Sequence, residues 1–350
     1  MLGKLALGLG LATLAALTTS CSHKTDTAAP YNPDCTDVPG QIQADLKCTG
    51  LYADFAAKTL APDAKPYTPG IILYADDSEK SRWVYLPPGA KIDTTDMDEW
   101  VFPAGTKVWK EFRAGGKRIE TRFFYKQSTG KWVWTTYRWS ADETRAPSLT
   151  TGEQNVGGTT YEIPDQIGCD KCHRGRRDKL LGLEAVALAQ PSAQGVTLAS
   201  LVAEGRLTAP PASTQIAIPE DSTGKAAAAL GYMHMNCGVS CHVNVSYVEG
   251  SESGLFTRLS ATQLLKGGAQ VKDMDAYKTA VGLLATHKQH YTYVQQGYYV
   301  IKAGDSGKSL VVALSGLRDG KEQMPPLGSH VVDTAGLATM KAWIDALPPN

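Results

Sequence analysis

Leu230-Gly231-Tyr232-Met233-His234-Met235-Asn236-Cys237-Gly238-Val239-Ser240-Cys241-His242 is the stretch around which the reading of the whole chain turns. Two cysteines with a histidine directly after the second are what covalent haem attachment requires. The thiols form thioethers to the porphyrin, and the adjacent imidazole is delivered to the iron. Cys237 and Cys241 are the expected attachment thiols and His242 the expected iron ligand, with three residues between the cysteines where two are usual. A second copy lies upstream, because Cys169-Asp170-Lys171-Cys172-His173 has the regular spacing. Downstream, Gln323-Met324-Pro325-Pro326-Leu327-Gly328 has the form of a loop that offers a methionine thioether. Its two prolines fix the backbone and remove competing amide donors. The expectation is two covalently bound haem c groups on one chain.

At 350 residues the chain exceeds one average domain. Its 35 basic and 35 acidic residues cancel, and no long run of one sign occurs, so nothing favours a nucleic-acid partner. Lys4 is followed by an apolar run over 5–17, long enough for the core of a signal peptide and short for a membrane span. Leu17-Thr18-Thr19-Ser20-Cys21 resembles a bacterial lipobox, with Thr18 where leucine is preferred. Two outcomes follow from it: lipidation at Cys21 with a membrane anchor, or ordinary signal-peptide removal. Either implies export, to the periplasm or as an outer-membrane lipoprotein. Of the seven cysteines, Cys35 and Cys48 are left after the haem and lipid assignments. In an oxidising compartment they are expected to form a disulfide.

Residues 22–50 read as a polar tether after a signal segment over 1–21. Over 51–164 the period becomes that of strands, at 71–74, 82–86, 107–112, 119–125 and 131–137. Turn clusters such as Pro87-Pro88-Gly89 and Ala114-Gly115-Gly116 separate them. This spacing predicts an antiparallel sandwich or small barrel. Six tryptophans fall in this module (Trp83, Trp100, Trp109, Trp132, Trp134 and Trp139), either as core or as a platform for a sugar. The first haem segment covers 165–224 and is expected to carry a helix over 177–188. The last module, 225–350, opens with a helix over 225–235. It closes with one that Asp333 or Thr334 caps, with Leu337, Met340, Ile344 and Leu347 on one face. The fold class expected is therefore multidomain α+β, a β-rich module followed by a mostly helical haem region.

Two helices bracketing a haem motif and a methionine loop resemble the order of elements in class I cytochrome c domains. More broadly, the chain resembles exported bacterial dihaem c-type cytochromes in which a β-rich module, here with the phrase Trp100-Val101-Phe102-Pro103-Ala104-Gly105-Thr106, precedes two haem motifs. The resemblance implies electron transfer with redox partner proteins. It implies attachment at Cys169, Cys172, Cys237 and Cys241, and axial ligation by His173, His242 and Met324.

The sixth ligand of the first haem stays open between His234, three residues before Cys237, Met97 on a loop of the β module, and no protein ligand at all. An open iron implies a haem enzyme such as a dihaem peroxidase. A third class is a β module that binds carbohydrate or protein, with the haems as accessories. His287, His290 and His330 sit in polar contexts and are expected at the surface.

Overall fold

The computed structural model describes Cys35 and residues 41–349. The signal segment and the lipidation site at Cys21 lie outside the described residues. The expected bond between Cys35 and Cys48 is present, with an S–S distance of 1.98 Å. In the chain-entropy picture, closing a loop of this size stabilises the folded state by about 3 kcal/mol.

The β module is built from β1 (Tyr52–Asp54), β2 (Thr59–Leu60), β3 (Lys65–Thr68), β4 (Glu79–Tyr85), β5 (Lys107–Ala114), β6 (Lys117–Lys126), β7 (Trp132–Arg138) and β8 (Ser148–Leu149). Strands β1 and β2 pair alone. The others form one antiparallel sheet in the order β8-β7-β6-β5-β4-β3-β9, where β9 is Gln194–Gly195. The expected sandwich or barrel is thus replaced by a single open sheet with both faces covered. Trp83, Trp109, Phe123 and Tyr137 pack from one face onto Leu46, Leu51, Tyr52, Phe55 and Trp139. Val84, Val108 and Phe124 leave from the opposite face toward the helical region, as the two-residue alternation of strands requires.

Four of the five predicted strands are present, and 71–74 is the exception. It runs as coil because the Asn236 side chain serves its backbone: Tyr74 N–H donates to Asn236 Oδ1 at 2.7 Å, and Asn236 Nδ2 donates to the Ile72 carbonyl at 3.1 Å. Its apolar side chains are used all the same, Ile71 and Leu73 packing on Ala187, Met235 and Val239.

The helices are α1 (Gln166–His173), α2 (Ala185–Leu188), α3 (Leu198–Ala203), α4 (Ala226–Met233), α5 (Ala261–Leu265), α6 (Asp275–Lys278), α7 (Tyr291–Gln295), α8 (Leu310–Ser315) and α9 (Thr334–Ala346). The helix predicted over 177–188 survives only as α2. Left-handed backbone at Lys179 (φ 61°) and Gly182 (φ 79°) interrupts the helical path before it. The closing helix forms as predicted, with the Asp333 carboxylate accepting from Gly336 N–H at 2.8 Å and Met340, Ile344 and Leu347 buried. It packs on α4 with little clearance, since a Cβ at Gly336 would lie 2.0 Å from the Tyr232 ring.

The boundaries at 164 and 224 do not interrupt the packing. One apolar cluster runs from Tyr67, Val84 and Phe124 through Leu180, Leu183 and Leu188 to α4 and α9. Across the same seam Lys126 Nζ is buried against the Asp178 carboxylate at 2.6 and 2.7 Å, and that carboxylate also accepts from Trp132 Nε1 and Phe102 N–H. Four hydrogen bonds from three donors on one carboxylate are the condition under which a buried ion pair is tolerated.

Candidate haem-attachment site

Helix α1 carries the first motif. Asp165 caps it by accepting from Gly168 N–H at 2.7 Å. The cap sets a frame in which His173 follows Cys169 by four residues, close to one helical turn. None of the eight α1 residues is fully covered: Cys169, Cys172 and His173 are half-buried on the inner side, and Ile167 is 68 % exposed. The His173 ring lies on Phe124 of β6, with ring centroids 4.6 Å apart. Its Nδ1 is 2.5 Å from the Lys179 carbonyl, so that nitrogen carries the proton and Nε2 keeps its lone pair. Lys179 is the residue whose left-handed backbone ends the helical path, and the same turn aims its carbonyl at the ring. Burial pushes the His173 imidazolium down to about 4, so the ring is neutral at neutral pH.

The second motif leaves the end of α4, where the backbone widens into a π turn over His234–Gly238. Val239 N–H bonds the His234 carbonyl, and His242 N–H bonds the Cys237 carbonyl, each at 2.9 Å and each five residues back. The π closure takes up one more residue than the α closure. The third residue between Cys237 and Cys241 is absorbed in this way, and His242 keeps its hydrogen-bonded relation to the first cysteine. Nδ1 of His242 is 3.1 Å from Ser253 Oγ, which donates its own proton to the Gly250 carbonyl at 2.7 Å. Nδ1 is therefore the donor, and again Nε2 is left free. Burial lowers the His242 pKa as well, partly offset by the Leu255 backbone, which also lies within hydrogen-bonding range of the ring.

A neutral imidazole with Nδ1 anchored and Nε2 free is the form that binds iron. Both histidines therefore fit the group that their motifs imply. None of the four motif cysteines is in a disulfide. Burial raises Cys169 to about 11 and Cys237 and Cys241 to about 12, and it raises Cys172 too. Shifted in this sense, all four favour the thiol form at neutral pH. Among the described residues, no group of three or more His, Cys, Asp or Glu is placed to hold a bare metal ion.

The two motifs abut. A Cβ on Gly175, two residues after His173, would lie 2.0 Å from the Ser240 carbonyl oxygen, inside the second motif. Lys171 Nζ is 3.9 Å from Glu249, in the turn that follows His242.

The expected sixth ligands fare unequally. His234 is fully buried, but its Nδ1 accepts from Leu259 N–H at 2.9 Å and its Nε2 faces Glu184 at 3.4 Å. Both nitrogens are engaged, which leaves no lone pair for iron. Burial would raise the Glu184 carboxyl, yet the His234 ring, Arg176 and the Ala187 amide hold it at about 2. Met97 is buried, and its sulfur accepts from Trp100 Nε1 at 3.3 Å, as a core side chain.

Met324 packs beside Ala285, Leu310 and Leu314, and its N–H donates to the Leu314 carbonyl at 3.0 Å. Arg318 staples the loop from inside, donating to the carbonyls of Ser315, Met324 and Val331. Beyond Met324 the loop crosses to the first motif. Leu327 and Gly328 face Ile167, Gly168 and Lys171 across a cleft of about 350 Å³, and His330 and Val331 donate backbone N–H to Asp76 of the β module at 3.0 Å. His330 is exposed, as expected, and bonds Glu162. His290 corrects the expectation: it is 6 % exposed, with Nδ1 3.6 Å from Glu322. Residue context on the chain carries no sign of that burial, because the Glu322 that meets the ring lies far along the chain.

Lys179 and Ser253, which orient the two imidazoles, are absent from the sequence reading. A backbone carbonyl and a lone serine hydroxyl have no motif. The tryptophans resolve plainly: five of the six in the β module are buried, and Trp134 stacks under Phe124. The aromatic platform of a sugar-binding face is not formed by them. No helix among the described residues is long and apolar enough to cross a membrane. No family model matches the chain, and the searches of curated proteins and of solved structures return no match.

Proposed function

We propose that the chain is an exported dihaem c-type electron carrier, with haem c tethered at Cys169 and Cys172 and at Cys237 and Cys241, exchanging electrons with redox partner proteins. The observation that supports it most is the matched preparation of two imidazoles: His173 and His242 each end a cysteine pair, each has Nδ1 held by an acceptor, and each presents a free Nε2. When bound, haem supplies one-electron exchange between ferric and ferrous iron. The chain's own residues attach it, orient the ligand nitrogen through Lys179 and Ser253, and bring the two attachment segments into contact at Gly175 and Ser240. That contact favours a short path between the two centres. The Cys35–Cys48 disulfide accords with an oxidising compartment. Met324 is the proposed thioether ligand, and its loop borders both modules.

A second reading has one observation in its favour. His234 and Met97 are both otherwise engaged, which leaves the first iron open to a small ligand such as peroxide. Optical and electron-paramagnetic spectra of the purified protein separate the two. Two low-spin haems unchanged by cyanide or peroxide are expected of the carrier; a high-spin fraction that responds to peroxide would replace it by the enzyme.

A further inference from the structure

One row of side chains on the sheet has no part in the reading above. Arg82, Lys110 and Arg122 stand opposite one another on β4, β5 and β6, so all three leave the same face. It is the face on which Phe124 carries the His173 ring. Arg122 is answered by Glu120 at 2.7 Å, and that carboxylate is also taken by Tyr161 and Thr136. The other two cations have no such answer. Arg82 is 5 % exposed, and its guanidinium has no hydrogen bond or ion pair among the described residues. Lys110 is half-buried with its ammonium 4.8 Å above the Phe112 ring and in no ion pair among the described residues; Glu120, already bonded to Arg122, acts on it only at longer range. Burial and the crowding of Arg82, Arg122 and Lys80 push Lys110 well below the usual lysine range. A covered guanidinium without a partner opposes folding, so Arg82 with Lys110 beside it points to an anion that completes the pair.

The row begins beside the first motif. Arg122 acts electrostatically on Cys169, Cys172 and His173, and Lys110 acts on Cys172 and His173. From Arg122 to Arg82 is two strand spacings, roughly 10 Å. Porphyrin carboxylates leave the ring at the edge opposite the thioether-bearing substituents, so a receptor for them lies away from the thiols.

We propose that Arg82 and Lys110 form a receptor for a carboxylate, and that this carboxylate is a propionate of the porphyrin tethered at Cys169 and Cys172. The inference rests on the haem reading and adds the residues that receive the anionic edge. Arg82 offers a planar fork that matches a carboxylate, and Lys110 a point charge. Two cations held beside the iron favour its ferrous state, which raises the potential of the first haem.

The test uses the full-length, haem-loaded protein and the variants Arg82→Gln, Lys110→Gln and Lys110→Arg. Haems per chain are counted, and both haems are titrated spectroelectrochemically with and without inorganic phosphate. Lys110→Gln is expected to retain both haems while the reduction equilibrium of one falls about tenfold, about 59 mV for one electron. Lys110→Arg restores it, and phosphate has no effect. Unchanged potentials in both neutralised variants, with two haems retained, would overturn this inference and leave the carrier standing. A shift that depends on phosphate in the wild type and is lost in Lys110→Gln would assign the row to a free oxyanion and overturn the porphyrin source. A wild-type chain without haem would instead remove the parent reading. Where Arg82→Gln fails to accumulate, the half-buried Lys110 pair of variants decides alone.

Discussion

The two cysteine pairs hold the same chemical groups on different backbones. In α1 the histidine follows the first cysteine by four residues, in α-helical frame. After α4 it follows by five, and a π closure from His242 N–H to the Cys237 carbonyl accommodates the difference. The imidazole anchors differ in kind as well: a backbone carbonyl aimed by left-handed Lys179 on one side, a serine hydroxyl on the other. The lesson is that the turn's closing hydrogen bond fixes where the histidine stands, and the number of residues between the cysteines can vary with the turn. π turns are often retained at functional positions for this kind of adjustment.

The contact between the two regions is where the comparison breaks most readily. Gly175→Val is expected to cost more than about 4 kcal/mol, because its side chain meets a backbone carbonyl that cannot step aside. Thermal unfolding measures it, and a variant as stable as the wild type would show that the motif segments do not touch. Asp178→Ala strands the buried Lys126 behind the first motif and is expected to cost about 3–5 kcal/mol in denaturant unfolding.

Glu184→Gln addresses the second motif's side, where Glu184 pairs with His234. A carboxylate held at about 2 in the folded chain and near its ordinary value unfolded contributes stability at neutral pH. That contribution is lost as pH falls from about 4 to 2. The variant should be less stable than the wild type at pH 7, with the gap closing in that acid window; a gap constant with pH would contradict the pairing. The smallest effect is expected of Ser253→Ala, about 1 kcal/mol, with a spectral change confined to the second haem. No side-chain substitution removes the matching anchor at His173, since that anchor is main chain.

Strands 82–86 through 131–137 and the closing helix were legible because alternation and capping are local signals, and so were the cysteine–histidine pairs. Residues 71–74 misled because the signal for a strand is apolar and β-branched, and Asn236, far along the chain, took the backbone bonds that a ladder would have made. The helix expected at 177–188 failed on a left-handed lysine that composition does not betray. A sandwich and a single covered sheet produce the same alternation, so only packing distinguishes them. Nothing in the sequence singles out Arg82 or Lys110 within their strands; that Arg82 is covered is known only once the helices are laid on the sheet.

Haem on both cysteine pairs is the property on which the electron-carrier proposal depends. Intact-mass spectrometry together with a pyridine haemochrome assay, on full-length protein produced in a host that matures c-type cytochromes, tests it directly. Two covalently bound haems per chain are expected, falling to one in the double variant Cys237→Ala/Cys241→Ala. A chain that carries none, or a wild type with one haem that this variant leaves in place, would contradict it.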